Sequence, residues 1–444
     1  MKRIAITTLG CKVNQFESAS FASGFEAQGC ILVPFQAEAE VYVINTCTVT
    51  ARAGQQSRQL IRRVLKERPG ARIVVTGCYA QMDPEAVLDL AEQPVAIVGN
   101  GNKHRLVEAA LVENPPDLVL LMGKIREKKE VCELPVTRFR DRTRAYLRIQ
   151  DGCDNFCSYC IVPYTRGRSR SVPLAGVLDQ TAVFAEQGYR ELVITGINVG
   201  KYGLDLAEGQ TIYRLLDRLC RDFPALRFRL SSIEPTEVND ALLELLTGHA
   251  NLMPHLHIPL QSGDDRVLAR MNRRYSRAEF AAVIRRVHDA LPQVTIGCDV
   301  LGGFPGETEA EAENTYRLLA DLPIGYLHVF PYSRRPGTLA ASFGGQVPGP
   351  VKAERVQRLR VLDAAKRQAL YRDNIGRIHR VLVERRQAKS GLLQGFSENY
   401  LPVLFAGGAS LLHQVVAVRI VALKDDQPRG VVAEDALEER RQNR

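Results

Sequence analysis

The stretch Gly152-Cys153-Asp154-Asn155-Phe156-Cys157-Ser158-Tyr159-Cys160-Ile161-Val162-Pro163-Tyr164 places three cysteines within eight residues, spaced C-x3-C-x2-C. A closed zinc cage wants four ligands, so three leave one position to something else. The stretch directly follows an apolar run, "AYLRIQ" (145–150). Ligand loops at the C-terminal ends of parallel strands are where such folds put their chemistry. Outward from it the same beat continues: "ELVITG" (191–196), "RFRLSS" (227–232), "HLHIPL" (255–260), "TIGCDV" (295–300) and "GYLHVF" (325–330) are further strand candidates. Helical segments at 174–187, 237–247, 276–290 and 309–320 lie between them. Six β/α units in succession predict a partial parallel barrel, (β/α)6.

Upstream, "RIAITTL" (3–9), "VYVINT" (41–46) and "RIVVTG" (72–77) are β-branched apolar runs of the kind buried in parallel sheets. A helix is expected to open at Asn14, with Glu17 three residues on in the manner of a capping box. This predicts a doubly wound α/β domain over 1–115. Residues 116–143, beginning at Pro116 and running through "KIREKKEVCELP", read as a linker. The barrel with its trailing helix near 351–373 spans 144–374. Then "RIHRVLVERRQ", "GLLQGFSENYLPVLF" and "LLHQVVAVRIVAL" predict a small β-barrel over 375–440.

Composition sets the class. At 444 residues, 45% hydrophobic and 25% charged, the chain reads as globular, and "MKRIAITTLG" leads into no long apolar run, so no membrane span is expected and the cytoplasm is the expected compartment. Ten cysteines in that setting point to metal binding or catalysis before disulfides. The net charge is +9, and residues 351–386 carry 11 Lys/Arg against 4 Asp/Glu, which suits a polyanion such as RNA or a solvated basic face.

Thiolates as close as Cys153, Cys157 and Cys160 can hold three irons of a 4Fe–4S cluster and leave the fourth open; structural zinc is the alternative. Cys11, Cys47 and Cys78 each follow one of the first three strands. The ends of parallel strands share one edge, so these thiols can converge as a second set or be ordinary buried cysteines. Cys220 and Cys298 fall on core stripes, Cys30 at the opposite sheet edge, and Cys132 in the expected linker.

The triple with Tyr159 before its last cysteine resembles the radical S-adenosylmethionine superfamily. The whole chain resembles the methylthiotransferases within it, through "TLGCKVNQFES" (8–18), "NTCTVT" (45–50), "TGCYAQ" (76–81), "GCDNFCSYCIVPYTRGRSRS" (152–171), "SSIEP" (231–235), "HIPLQSGDDRVLARMNRRY" (257–275), "GGFPGET" (302–308) and "FPYSRRPGT" (330–338). "TLGCKVNQ" and "FPYSRRPGT" are most similar to the bacterial branch acting on threonylcarbamoyl-adenosine.

The resemblance implies two 4Fe–4S clusters, on Cys153, Cys157 and Cys160 and on Cys11, Cys47 and Cys78, with S-adenosyl-L-methionine completing the first. It implies a C-terminal TRAM domain that binds RNA. It further implies methylthiolation at C2 of N6-threonylcarbamoyladenosine beside the anticodon of tRNA (position 37), consuming two S-adenosylmethionine molecules. Sister branches act on isopentenyl-adenosine or on an aspartate of a ribosomal protein; a zinc-structured RNA-binding protein is the non-catalytic alternative. Partners are then the tRNA anticodon stem-loop, an electron donor and a sulfur donor. Tyr159, Glu234, Gln261 and Gly303 are the cofactor-binding candidates; each also suits packing, capping or a tight turn. Arg166, Arg168 and Arg170 suit RNA phosphate, a substrate carboxylate or a solvated loop alike. Phe396 and Tyr400 suit base stacking or barrel core.

Overall fold

β-branched runs flanked by amphipathic helices build a parallel sheet first. In the computed structural model, which describes residues 1–90, 94–113, 118–140, 142–206 and 209–433, six parallel strands pair in the order β2-β1-β3-β4-β5-β6. They are β1 (Arg3–Thr8), β2 (Ile31–Val33), β3 (Val41–Thr46), β4 (Arg72–Gly77), β5 (Val95–Val98) and β6 (Leu118–Leu121). β3 and β5 are buried along their whole length, as a sheet covered on both faces requires. Helix α1 (Lys12–Ala27) covers one face with Phe16, Phe21 and Phe25. The helix Ala51–Glu67 covers the other with Ile61, Val64 and Leu65.

Two expectations fail here. α1 opens at Lys12 with Cys11 in the extended cap position, not at Asn14, and Cys11 makes no side-chain cap. Asn14 and Glu17 are buried inside the helix, where they bond across to other segments. Within the expected linker 116–143, Leu118–Leu121 pairs in parallel with β5 and completes the sheet. The Pro115-Pro116 boundary and the expected end at 440 lie outside the described residues.

Six parallel strands follow as the partial barrel. β7 (Arg144–Arg148) leads into a short antiparallel pair, β8 (Gln150–Asp151) and β9 (Arg170–Ser171), which clasps the cysteine loop between its strands. β10 (Glu191–Thr195), β11 (Arg227–Leu230), β12 (His255–His257), β13 (Thr295–Gly302) and β14 (Tyr326–Pro331) continue the barrel. β7, β10 and β11 form one sheet and β12, β13 and β14 another. Bridges Phe228↔Leu252 and Ser232↔His257 join them, so the curved wall runs from β7 to β14. Its core is continuous with the α1 face of the first sheet and includes Cys220 and Cys298.

The helix Gly349–Asp373 then leads to a closed five-stranded barrel, ordered β15-β16-β17-β19-β18: β15 (Ile378–Arg386), β16 (Leu393–Phe396), β17 (Pro402–Phe405), β18 (Val415–Lys424) and β19 (Gln427–Val432). This barrel docks on the N-terminal strand ends of the partial barrel, away from the cysteine loop. Arg144 pairs with Glu384 at 2.7 Å, and Arg229 donates to Glu398 O at 2.9 Å. Phe396 and Tyr400 stack on each other at 4.8 Å, with Arg144 over both rings. They are part of this junction, which neither of their expected uses describes. Among the described residues, no helix is long and apolar enough to cross a membrane.

Candidate active site

A chain leaving β8 must turn sharply to present Cys153. Gly152 takes φ +77°, and a Cβ there would lie 1.9 Å from Arg168 O, so only glycine fits. The loop is then fastened to the segment after β12. Ser158 N donates to Met271 O (3.0 Å), its hydroxyl to Arg270 O (2.8 Å), and Asn272 Nδ2 to Phe156 O (3.0 Å). Two sulfurs accept hydrogen bonds, Cys153 from Asn155 N at 3.4 Å and Cys157 from Arg273 Nη1 at 3.5 Å. Burial, with the neighbouring thiols, pushes Cys153 up to about 11 and Cys160 to about 12. Cys153 and Cys160, this resistant to ionisation, need a strongly bound cation to become thiolates, and with Cys157 they make the donor set an iron–sulfur cluster uses.

Beside Cys157 opens a cavity of about 340 Å³, lined among others by Asp154, Asn155, Glu234, Arg273 and Tyr275. That volume suits a small cofactor. Glu234 holds Arg273 through both carboxylate oxygens, one at 3.0 Å, so a single bidentate pair links the cavity wall to Cys157. Arg273 was not singled out from the sequence, although it stands within the quoted "MNRRY".

The other three cofactor candidates do not line this cavity. Tyr159 packs against the cluster of Val267, Met271, Phe304, Tyr332 and Ala340. Gln261 takes φ +70° and bridges to Val300, finishing the strand. Gly303 donates its amide to the Glu307 carboxylate at 2.8 Å, and a Cβ there would meet Lys352 Cγ at 2.6 Å. Its glycine serves a tight turn against the helix Gly349–Asp373.

The second thiol set depends on the first sheet. β1, β3 and β4 are adjacent and parallel, and Cys11, Cys47 and Cys78 follow their C-terminal ends. Gly10 permits the approach, since a Cβ there would lie 2.8 Å from Cys47 Sγ. The surrounding protein raises Cys11, although that residue is exposed, and burial pushes Cys47 up to about 11; Cys78 raises both further. The donor chemistry therefore matches that of the first set.

Between the two sets lies Arg166, fully buried. It donates to Asp151 Oδ1 (2.8 Å), Glu17 Oε1 (3.0 Å) and Asn14 Oδ1 (2.6 Å), and Glu17 also pairs with Lys103. Its charge favours the ionised form of Cys11. The neighbouring Arg170 is buried too and donates to Arg166 O; Arg168 is exposed. For Arg166 and Arg170 the structure therefore replaces an RNA contact or a solvated loop with an internal tie between the two cysteine-bearing units.

Residues 3–99 match the uncharacterized protein family UPF0004, and residues 147–319 match the radical SAM superfamily. A threonylcarbamoyladenosine tRNA methylthiotransferase MtaB of Aquifex aeolicus is 38% identical over 86% of this chain and 92% of its own. The protein of that name from Bacillus subtilis is 37% identical over 95% of this chain and 94% of its own. The chain belongs to the radical S-adenosylmethionine methylthiotransferase family.

At the level of fold alone, this methylthiotransferase is similar to the radical S-adenosylmethionine methyltransferase TsrM of Kitasatospora setae, solved with cobalamin and a [4Fe-4S] cluster (TM-score 0.56, 16% identity, 77% of each chain). Membership implies a 4Fe–4S cluster and S-adenosylmethionine. Cys153, Cys157 and Cys160 could hold that cluster, with the adjoining cavity open to the cofactor. The closed five-stranded barrel is consistent with a TRAM domain.

Proposed function

We propose that this radical SAM methylthiotransferase modifies tRNA, replacing the C2 hydrogen of N6-threonylcarbamoyladenosine at position 37, beside the anticodon, with a methylthio group. The observation carrying this reading is the pair of three-cysteine sets, one on the barrel loop and one on the first sheet, tied by buried Arg166. An unactivated aromatic C–H offers no acidic proton, so acid–base groups alone are insufficient. A 4Fe–4S cluster with S-adenosylmethionine supplies, when bound, the one-electron chemistry that generates a carbon radical.

The chain's own residues have distinct tasks. Cys153, Cys157 and Cys160 would hold one cluster, while Glu234 and Arg273 shape the adjoining cavity. Cys11, Cys47 and Cys78 would hold a second cluster, which would supply sulfur chemistry. Two S-adenosylmethionine molecules are used per turnover, one as radical source and one as methyl donor. The exposed Arg372, Arg377, Arg380, Arg385 and Arg386 offer phosphate contacts beside and along β15. An electron donor and a sulfur donor complete the cycle. The names of the relatives favour the threonylcarbamoyl target.

Nucleoside mass spectrometry of tRNA from cells with and without the gene tests this. Loss of the methylthio-threonylcarbamoyl nucleoside, with its precursor accumulating, is expected. Loss of the isopentenyl analogue instead, or a change confined to a ribosomal protein, overturns the target.

A further inference from the structure

The lumen of the partial barrel carries a polar cluster separate from the cysteine loop. On β13 and β14, Asp299 stands opposite His328, and Gly297 opposite Tyr326. A Cβ at Gly297 would lie 2.1 Å from the Tyr326 ring, so the missing side chain makes room for that ring. Asp299 Oδ1 is 2.9 Å from His257 Nε2 and 3.3 Å from His328 Nδ1. With both imidazoles donating to Asp299, His257 Nδ1 is left as an acceptor, and the Tyr326 hydroxyl lies 3.2 Å from it. The His328 side chain is 49% exposed, so this network reaches the open side of the lumen.

A cation from the other unit faces the same space. Lys12 follows Cys11 at the start of α1, and the charged groups acting on it most are Arg144, Asp299 and Arg229. Arg144 and Arg229 are both within ion-pair distance of Glu191, at 3.5 Å and 2.8 Å. Asp299 is already shared by two imidazoles. Among the described residues, no carboxylate or carbonyl lies within hydrogen-bond or ion-pair distance of Lys12, although its side chain is accessible. An ammonium set in a recess among other cations, without a counter-ion of its own, is arranged for an anion arriving from outside.

We infer that Lys12 and His328 form the subsite for a carboxylate-bearing substituent on the target base, Lys12 taking its carboxylate and His328 Nε2, left as an acceptor, its hydroxyl. The inference rests on the function proposed above and deepens it, because a threonylcarbamoyl group carries a carboxylate and a hydroxyl. A purely hydrocarbon substituent would displace water from Lys12 and return no partner. Sites built around polar groups discriminate strongly on that ground.

The test uses full-length, cluster-reconstituted protein and synthetic anticodon stem-loops bearing N6-threonylcarbamoyl-adenosine, its methyl ester or isopentenyl-adenosine. Wild type should prefer the free acid to the ester by about tenfold or more in kcat/KM and in affinity, the scale of one charge-assisted hydrogen bond. Lys12→Met should bring the ratio near one, and Lys12→Arg should keep it. Iron and sulfide analysis controls for cluster loading in these variants. Should Lys12→Met load poorly, raising the salt concentration on wild type should shrink the acid-over-ester preference severalfold in binding alone, and a preference that salt leaves unchanged overturns the inference. Wild type that turns over acid and ester equally, or a Lys12→Met protein that keeps the preference, overturns this inference and leaves the proposed target standing. Wild type that turns over the isopentenyl stem-loop and not the threonylcarbamoyl one overturns the proposed target itself.

Discussion

The two three-cysteine sets offer similar donors by opposite means. Cys153, Cys157 and Cys160 lie on one loop, clasped by β8 and β9 and fastened to the 270–272 segment. Cys11, Cys47 and Cys78 share no loop and meet because β1, β3 and β4 are neighbours in one sheet. The first is a local site that a short peptide almost specifies. The second exists only once the sheet has formed, so its integrity is a property of the whole unit. Arg166 is where they meet, since it bonds Asp151 of the local site and Glu17 beside the dispersed one.

The strongest way to break the comparison is to remove one thiol from each set. Cys157→Ala should abolish S-adenosylmethionine cleavage, a loss of a thousandfold or more, roughly the scale of removing a group on which the chemistry depends. Cys47→Ala should keep that cleavage and lose methylthiolation. Chromatographic assay of 5′-deoxyadenosine beside nucleoside mass spectrometry separates the two outcomes. Each variant should fall from about eight irons per chain to about four. If Cys47→Ala still methylthiolates, the dispersed set has no place in the reaction.

Next in size is Arg166→Met. It leaves Glu17 and Asp151 buried against fewer cations, and breaking such a pair typically costs about 3–5 kcal/mol. Arg170 and Lys103 remain nearby and soften the loss. The midpoint of chemical denaturation should fall accordingly, and loading should drop at both sets rather than one. A variant that loses iron at the barrel loop alone would show that the two sets are not coupled through this residue.

How much of this was legible follows the same division. The strands stood out because β-branched runs are bounded by turns and helices, and the barrel loop because its ligands are contiguous. The dispersed set was legible only as a possibility, because convergence depends on strand order. A signal was nonetheless there: Gly10 and Gly152 each precede a cysteine at a φ that favours glycine. Asn14 and Glu17 misled, because a capping pair and a buried ion network use the same residue types at the same spacing. Arg166 was unreadable, since its partner Glu17 lies 149 residues away. β6 was hidden because its four apolar residues, just ahead of the mixed-charge run that opens at Lys124, are too few to show a period. Lys12 could be placed in the lumen only after α1 was docked beside the barrel.

The smallest predicted effect is one on which the two sets should agree. Cys47 and Cys153 are both pushed up by burial, each to about 11 from an ordinary value of 9.0. A raised thiol pKa means that the folded, cluster-free chain favours the neutral form. That contribution is complete below the unfolded value, so it should be lost as pH rises from about 9 toward 11. The loss is about 3 kcal/mol per thiol at most. Denaturation of cluster-free protein across this range should show stability falling, and Cys47→Ala and Cys153→Ala should each flatten the curve by similar amounts. If Cys153→Ala leaves the slope unchanged while Cys47→Ala flattens it, the loop opens to solvent without its cluster and the sheet edge does not. Local and dispersed construction would then differ in preorganisation as well as in assembly.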